Sequence, residues 1–287
     1  MSGRLRGGRA AKAGLAIVVV LLVFAAFGPL IAPHDALTSD FVRGASPLRT
    51  PIGPSRYFWF GADRVYRDEF ARLAVGARLS LTIGVLSTAM ATAIGAAVGV
   101  VAGWFAGRDG ARTDWSIVDT VLMRAVDIGL AFPFLLLVMA IGAALERTTA
   151  TTVILVLGAT GWLGTARVVR AKTMQVRSLD FVVAARALGR STPGILFWHV
   201  LPNVSGVLAI VATLSVAQMI LAESVLGYLG VGIPPPVPTW GRMLYEGQDY
   251  YLAGPWLVAA PAAAIVIAVL GFHLLGEGVK NALDARG

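Results

Sequence analysis

Cysteine is absent from the 287 residues, which excludes disulfides, cysteine-bearing metal sites and thiol chemistry. Lysine occurs only at Lys12, Lys172 and Lys280, none of them after a glycine. The chain therefore has no Walker A Gly-Lys pair, and any ATP it depends on is hydrolysed by another chain. Histidine is confined to His34, His199 and His273, far apart in sequence, and no Ser/His/Asp or paired-carboxylate pattern suggests an enzyme. No cofactor is implied. Charge is scarce as well: 14% of residues are charged, against about 25% in an ordinary soluble domain.

What is plentiful is apolar sequence, 57% of the chain with a mean hydropathy of +0.75, so the bilayer is the expected solvent. A formal charge of +8 would suit nucleic acid only as a patch on a water-soluble body. Here most arginines lie between long uncharged runs and read as topology signals, and no nucleic-acid partner is expected.

Residues 13–33 are uncharged and follow Arg4, Arg6, Arg9 and Lys12. The run is longer than the roughly 7 to 15 residues of a signal-peptide core, so it reads as a retained first membrane helix with its basic tail in the cytoplasm. Residues 34–72 mix charge with proline, glycine and aromatics and read as an ordered external loop. The second span is expected over 79–107. Within it Gly95, Gly99, Gly103 and Gly107 repeat every four residues in register with Ser87 and Ala91, a stripe that lets a neighbouring backbone approach closely.

Arg108, Asp109, Arg112 and Asp114 suggest a short cytoplasmic turn. The third span, ending near Leu145, carries Arg124 and Asp127 at a spacing that predicts a pair between them, and Pro133, which predicts a bend. Glu146 and Arg147 mark an external turn, and the fourth span is expected over 148–166. Residues 167–203 form a polar cytoplasmic segment, with Arg167, Arg170, Lys172, Arg177, Arg186 and Arg190 against Asp180 alone. The fifth span is expected over 204–222, with Glu223 towards its far end, and the sixth over 250–276. This is an all-α chain of six transmembrane helices with both termini in the cytoplasm. Residues 1–75 hold the tail, first helix and loop, and 76–287 a five-helix core. Arg124, Asp127 and Glu223 are the intramembrane polar candidates, each with a simpler reading as an ion pair or interhelical hydrogen bond.

Residues 180–203 are the longest polar interruption of the second half. Asp180 is expected to cap a short helix over 181–188 that Gly189 ends, and Thr192 and Pro193 to start another that Pro202 limits. Ala184 and Ala185 keep the first helix slim; Phe181, Val182 and Leu188 give it an apolar ridge, and Arg186 and Arg190 a basic rim. Such a knob suits a groove on another protein. Its composition suits an amphipathic helix on anionic lipid equally well.

The string AARALG, followed about a dozen residues later by HVLPN, resembles the EAA loop of permease subunits of ABC importers. Four further stretches, FGADRVYRDEFARLAVGARLSL, MRAVDIGLAFPFLLL, ILAESVLGYLGVGIPPPVPTWGRML and LLGEGVKNALD, resemble the dipeptide, oligopeptide and nickel group in the same order. The resemblance implies a type I importer permease in a bacterial inner membrane, paired with a second, different permease subunit and surrounded by membrane lipid. It implies two cytoplasmic ATPase subunits and an extracytoplasmic solute-binding protein. The implied cargo is a dipeptide or oligopeptide, with nickel or another small solute as the alternative. By position, Asp180, Ala184, Ala185, Arg186, Gly189 and Pro202 would form the ATPase-coupling loop. Val183 stands where the family's usual glutamate would be, and Tyr66 where an upstream GRD pattern has glycine. An ion-coupled secondary transporter is the rival class; it would need coupling groups near the midplane, for which Arg124, Asp127 and Glu223 are the candidates.

Overall fold

An apolar run in hydrocarbon must satisfy its backbone polar groups internally. Among the described residues every regular element is accordingly helical, and pairing between extended segments is limited to isolated bridges of Ala45 with Pro51 and Ala62 with Asp68. The structure is a computed structural model that describes residues 2–107, 116–145 and 148–284. The turns expected at 108–114 and 146–147 lie outside them. In chain order α1 spans Ser2–Ile31, α2 Glu69–Phe105, α3 Ser116–Ala131, α4 Phe134–Ala144, α5 Ala150–Thr160 and α6 Leu163–Arg177. They are followed by α7 at Asp180–Ala187, α8 at Thr192–Ile195, α9 at Leu201–Tyr228, α10 at Trp240–Gly247 and α11 at Trp256–Asp284. Four stretches are long and apolar enough to cross a membrane alone: Gly8–Ile31, Glu69–Phe105, Thr192–Tyr228 and Trp256–Leu283. The bent pairs α3 with α4 and α5 with α6 bring the number to six if each is one span.

Several boundaries differ from the sequence expectation for local reasons. Helix α2 begins ten residues early because Asp68 caps it, its carboxylate accepting the Ala71 amide at 3.1 Å, and the division drawn after residue 75 therefore falls inside a helix. Pro29 lies inside α1 and has no N–H, which leaves the Ala25 carbonyl without its helical donor. Arg78 of α2 supplies one, Nε to Ala25 O at 3.2 Å. The bend at Pro133 amounts to a break of 85° between α3 and α4.

Helix α2 is the axis of the bundle, touching α1, α3, α5, α6 and α9. At one end Val18, Leu21 and Ala25 of α1 pack with Leu73, Ala77 and Leu81 of α2 and with Ala264, Ala268 and Phe272 of α11. In the middle Ile83 and Ala91 meet Val138, Val153, Leu157 and Met219. At the far end Val100 and Trp104 meet Val169, Val176, Val182, Val200 and Val204. With 37 residues at about 1.5 Å each, α2 spans about 55 Å, so the loop of residues 34–68 and the segment holding α7 and α8 stand at opposite ends.

The 34–68 loop is ordered by its own hydrogen bonds. His34 Nδ1 lies 2.8 Å from Asp68 Oδ2, and the Asp40 amide donates to Tyr66 O at 2.9 Å. Tyr66 adopts φ 65°, a left-handed conformation that favours glycine, at a cost of about 1–2 kcal/mol. Two contacts offset that strain: the Tyr66 hydroxyl donates to Arg49 O at 2.8 Å, and its ring stands edge-on to Phe41 at 5.5 Å.

Candidate functional site

The segment after α6 is pinned to the far end of α2 by buried apolar contacts and by arginines. Val182 is fully buried among Trp104, Val176 and Ile195, so it anchors α7 from below and does not belong to the outward ridge expected for it. Burial of one such side chain is worth about 1.5–3 kcal/mol. The Arg186 guanidinium lies 4.7 Å from the Trp104 ring, a cation-π contact. From α6, Arg177 Nη1 donates to the carbonyls of Trp104 and Ala106 at 2.8 and 2.6 Å, and Arg170 grips Asp119 of α3 with two bonds of 2.5 and 2.6 Å.

The turn after α7 is a Schellman motif. The Gly189 amide donates to Arg186 O at 3.0 Å and the Arg190 amide to Ala185 O at 3.1 Å, with Gly189 at φ 79°, the arrangement that closes a helix with a left-handed residue. Asp180 is not the cap; Leu179 occupies that position without a side-chain bond, and Asp180 is the first helical residue, where its charge favours the helix dipole. Likewise Ser191 precedes α8 in place of Thr192. An added Cβ at Gly189 meets nothing within 4 Å, so Gly189→Val should cost only the conformational penalty, about 1–2 kcal/mol. Faster amide exchange confined to α7 and its turn is the expected readout, with Gly189→Asn close to the parent.

Pro202 does not end the second helix. Residues 196–200 form a π turn, in which the Leu201 amide reaches back five residues to Leu196 O, and the chain runs on into α9. The wider turn accommodates a proline that cannot donate to the Trp198 carbonyl, and Asn203 Nδ2 bonds His199 O at 2.7 Å. Thr192–Tyr228 is thus one continuous 37-residue helix. The polar segment begins differently too: Arg167 to Arg177 belong to α6, a helix and not a loop. What remains exposed is an apolar ridge of Phe181, Val183 and Leu188, the last 87% exposed, beside Ala184, with Ala185 half-buried and Arg190 on the rim. Val183 is on the outer face, so the departure from glutamate makes that face less polar.

Three residues of the glycine stripe lie against α6. A Cβ at Gly95 would stand 2.7 Å from Thr165 Cβ, at Gly99 2.6 Å from Ala166 O, and at Gly103 2.6 Å from Arg170 O. Gly107 is not part of it: α2 ends at Phe105, and Gly107 is exposed, its carbonyl 3.4 Å from Arg177 Nη2. Arg124 and Asp127 do not pair. Asp127 takes Arg167 of α6 at 2.5 Å, and Arg124 is exposed, because the facing helix brings a cation closer than the neighbour on the same helix. Glu223 is fully buried and accepts the Ser80 hydroxyl at 2.9 Å; Ser80 Oγ in turn accepts the Trp240 amide at 3.3 Å, so this carboxylate joins α9 to α2 and α10.

The opposite end holds a buried ionic network. Glu246 Oε2 lies 2.8 Å from Arg72 and 3.2 Å from Arg67, and its Oε1 lies 3.1 Å from Arg242. Asp63 bridges to Arg67 at 2.6 Å and to Arg72 at 3.2 Å. All but Arg242 are nearly sealed from solvent. The i,i+4 spacings of Asp63 with Arg67 and Arg242 with Glu246 were visible in the sequence; the junction between residues 174 positions apart was not.

The family described as "Binding-protein-dependent transport system inner membrane component" matches residues 99–286, and "N-terminal TM domain of oligopeptide transport permease C" matches residues 3–47. The chain is 35% identical to the oligopeptide transport system permease protein OppC of Bacillus subtilis (strain 168), over 99% of this chain and 88% of that one. It is 36% identical to the di/tripeptide transport system permease protein DppC of Pseudomonas aeruginosa (strain UCBPP-PA14), over 97% and 88%. In fold it is similar to an inward-facing structure of the MetNI methionine ABC transporter, with a TM-score of 0.59 at 19% identity, over 75% of this chain and 96% of that one. Such permeases work with ATPase subunits and a binding protein. Matched nearly end to end, this multi-pass chain belongs to the family of binding-protein-dependent transport system inner membrane components, as a permease subunit of an ABC importer and not an enzyme.

Proposed function

We propose that the chain moves dipeptides or oligopeptides inward as one half of a permease heterodimer. Two ATPase subunits would sit in the cytoplasm against α7, and an extracytoplasmic solute-binding protein would deliver cargo at the end carrying the 34–68 loop. The observation that carries this reading is mechanical. The apolar ridge of α7 is held by Val182 on the cluster of Trp104, Val176 and Ile195 and joins, through the Schellman turn, the helix that runs unbroken from Thr192 to Tyr228. A push on the ridge is therefore transmitted to α6 and α9 without a slack linker, which suits alternating access driven from outside the membrane.

The basic start of α1 and the arginines of α6 to α8 support the cytoplasm on the α7 side, with both termini there. The peptide cargo draws on the names of the relatives. Residues 1–75 would serve as an N-terminal module and 76–287 as the translocating core. Reconstituted with its partners in vesicles, the transporter should accumulate labelled di- or oligopeptide only when ATP and the binding protein are both present. Uptake driven by a proton or sodium gradient without ATP would overturn the proposal.

A further inference from the structure

Two helix breaks open onto one cavity. Helices α3 and α4 meet at 85° across Phe132 and Pro133, and α5 and α6 at 40° across Gly161 and Trp162. Between them and the middle of α9 lies a cavity of about 430 Å3, whose lining includes Gly129, Phe132, Thr160, Leu163, Gln218 and Leu221. Helix α3 has 16 residues and α5 has 11, about 24 and 16 Å at about 1.5 Å per residue. Neither length crosses a hydrocarbon core of about 30 Å alone, so where each bent pair makes one span its break falls within the core.

The break at Pro133 leaves polar backbone at the wall. Pro133 has no N–H, which leaves the Gly129 carbonyl without an i+4 donor, and the first turn of α4 has no side-chain cap. Non-helical backbone at membrane depth persists only where protein covers it or water reaches it; lipid does neither. The side chains agree. The Thr160 hydroxyl is used by its own helix, donating to Val156 O at 2.6 Å, whereas Gln218 is exposed on α9 and presents an amide to the cavity. The lining contains no ionisable side chain.

We propose that this cavity is one wall of a water-filled translocation passage, with Gln218 as the polar side chain that this subunit offers to the passing solute. The inference rests on the importer reading and adds where the solute travels. An uncharged wall leaves the charged termini of a peptide hydrated and holds the solute weakly, which lets what enters also leave.

The absence of cysteine makes the test direct. Gln218→Cys, Leu221→Cys and Gly164→Cys are placed singly in the assembled transporter, with cysteine-free partners, in vesicles. A Cβ at Gly164 meets nothing within 4 Å, so that variant perturbs least. Val20→Cys and Val266→Cys, at positions 65% and 63% exposed on α1 and α11, serve as lipid-side controls. A membrane-impermeant cationic methanethiosulfonate should label the cavity positions at least tenfold faster than the controls. The rate should change severalfold when ATP and vanadate trap the complex, and labelling should abolish uptake. Cavity rates within twofold of the controls in both states, with ATP-dependent uptake intact before labelling, would overturn the passage and leave the importer reading standing. Absence of ATP-dependent uptake in the unlabelled parent would instead overturn the importer reading itself.

Discussion

Glu246→Ala will destabilise the subunit by about 3–5 kcal/mol, the range for breaking a buried ion pair from one side. The carboxylate is 5% exposed and is shared by Arg67, Arg72 and Arg242. Its removal leaves Asp63 as the remaining carboxylate paired with Arg67 and Arg72. The loss is large because an uncompensated cation in a water-poor site keeps its desolvation penalty and loses the attraction that offset it. A lower thermal midpoint of the solubilised transporter, and less folded subunit in the membrane, are the readouts. Adding Arg72→Met to Glu246→Ala should cost less than the two single changes summed, since the second change removes one of the stranded charges. A midpoint within a degree of the parent for Glu246→Ala would refute the network as a stabilising element. Because the network joins the 34–68 loop, the start of α2 and α10, the same variant should loosen the end of the molecule proposed to meet the binding protein.

Gly99→Val is expected to cost at or above the upper end of the usual overpacking range of about 1–3 kcal/mol. Its Cβ would stand 2.6 Å from both Ala166 O and Val169 Cβ, and a backbone carbonyl inside a helix cannot turn aside as a flexible side chain can. The only relief is to move α6 away from α2. That displacement reaches α7, which follows α6 after two residues, so ATP-dependent uptake should fall at least tenfold even in the fraction that folds. Gly164→Ala, on the open side of α6, provides the contrast and should be neutral or slightly stabilising, since alanine favours a helix over glycine by about 1 kcal/mol. Equal uptake by Gly99→Val and the parent would show that the close approach of the two helices has no part in coupling.

How far each feature could be read from sequence depends on how far apart its partners lie. Gly189 announced its left-handed turn because a helix end followed by glycine is a local problem with a local solution. Pro133 announced a break because the missing N–H acts within one turn. Pro202 misled for the same local reason: a proline can stop a helix, yet here a π turn one step upstream and the Asn203 side chain accommodate the missing bond. Val182 looked like part of an outward ridge, and only the position of Trp104 and Val176, supplied by α2 and α6, turned it inward.

A helical membrane chain, its apolar runs and the short two-helix element between them are legible in the residues alone, because hydrocarbon forces backbone bonding within each run and the exceptions must carry charge, glycine or proline. Tertiary structure decided which charges meet. Asp127 lies three residues from Arg124 and pairs with Arg167, forty positions away, and Glu246 gathers arginines from the other end of the chain. Coulomb attraction acts through space, and a one-dimensional spacing ranks only the neighbours on the same helix.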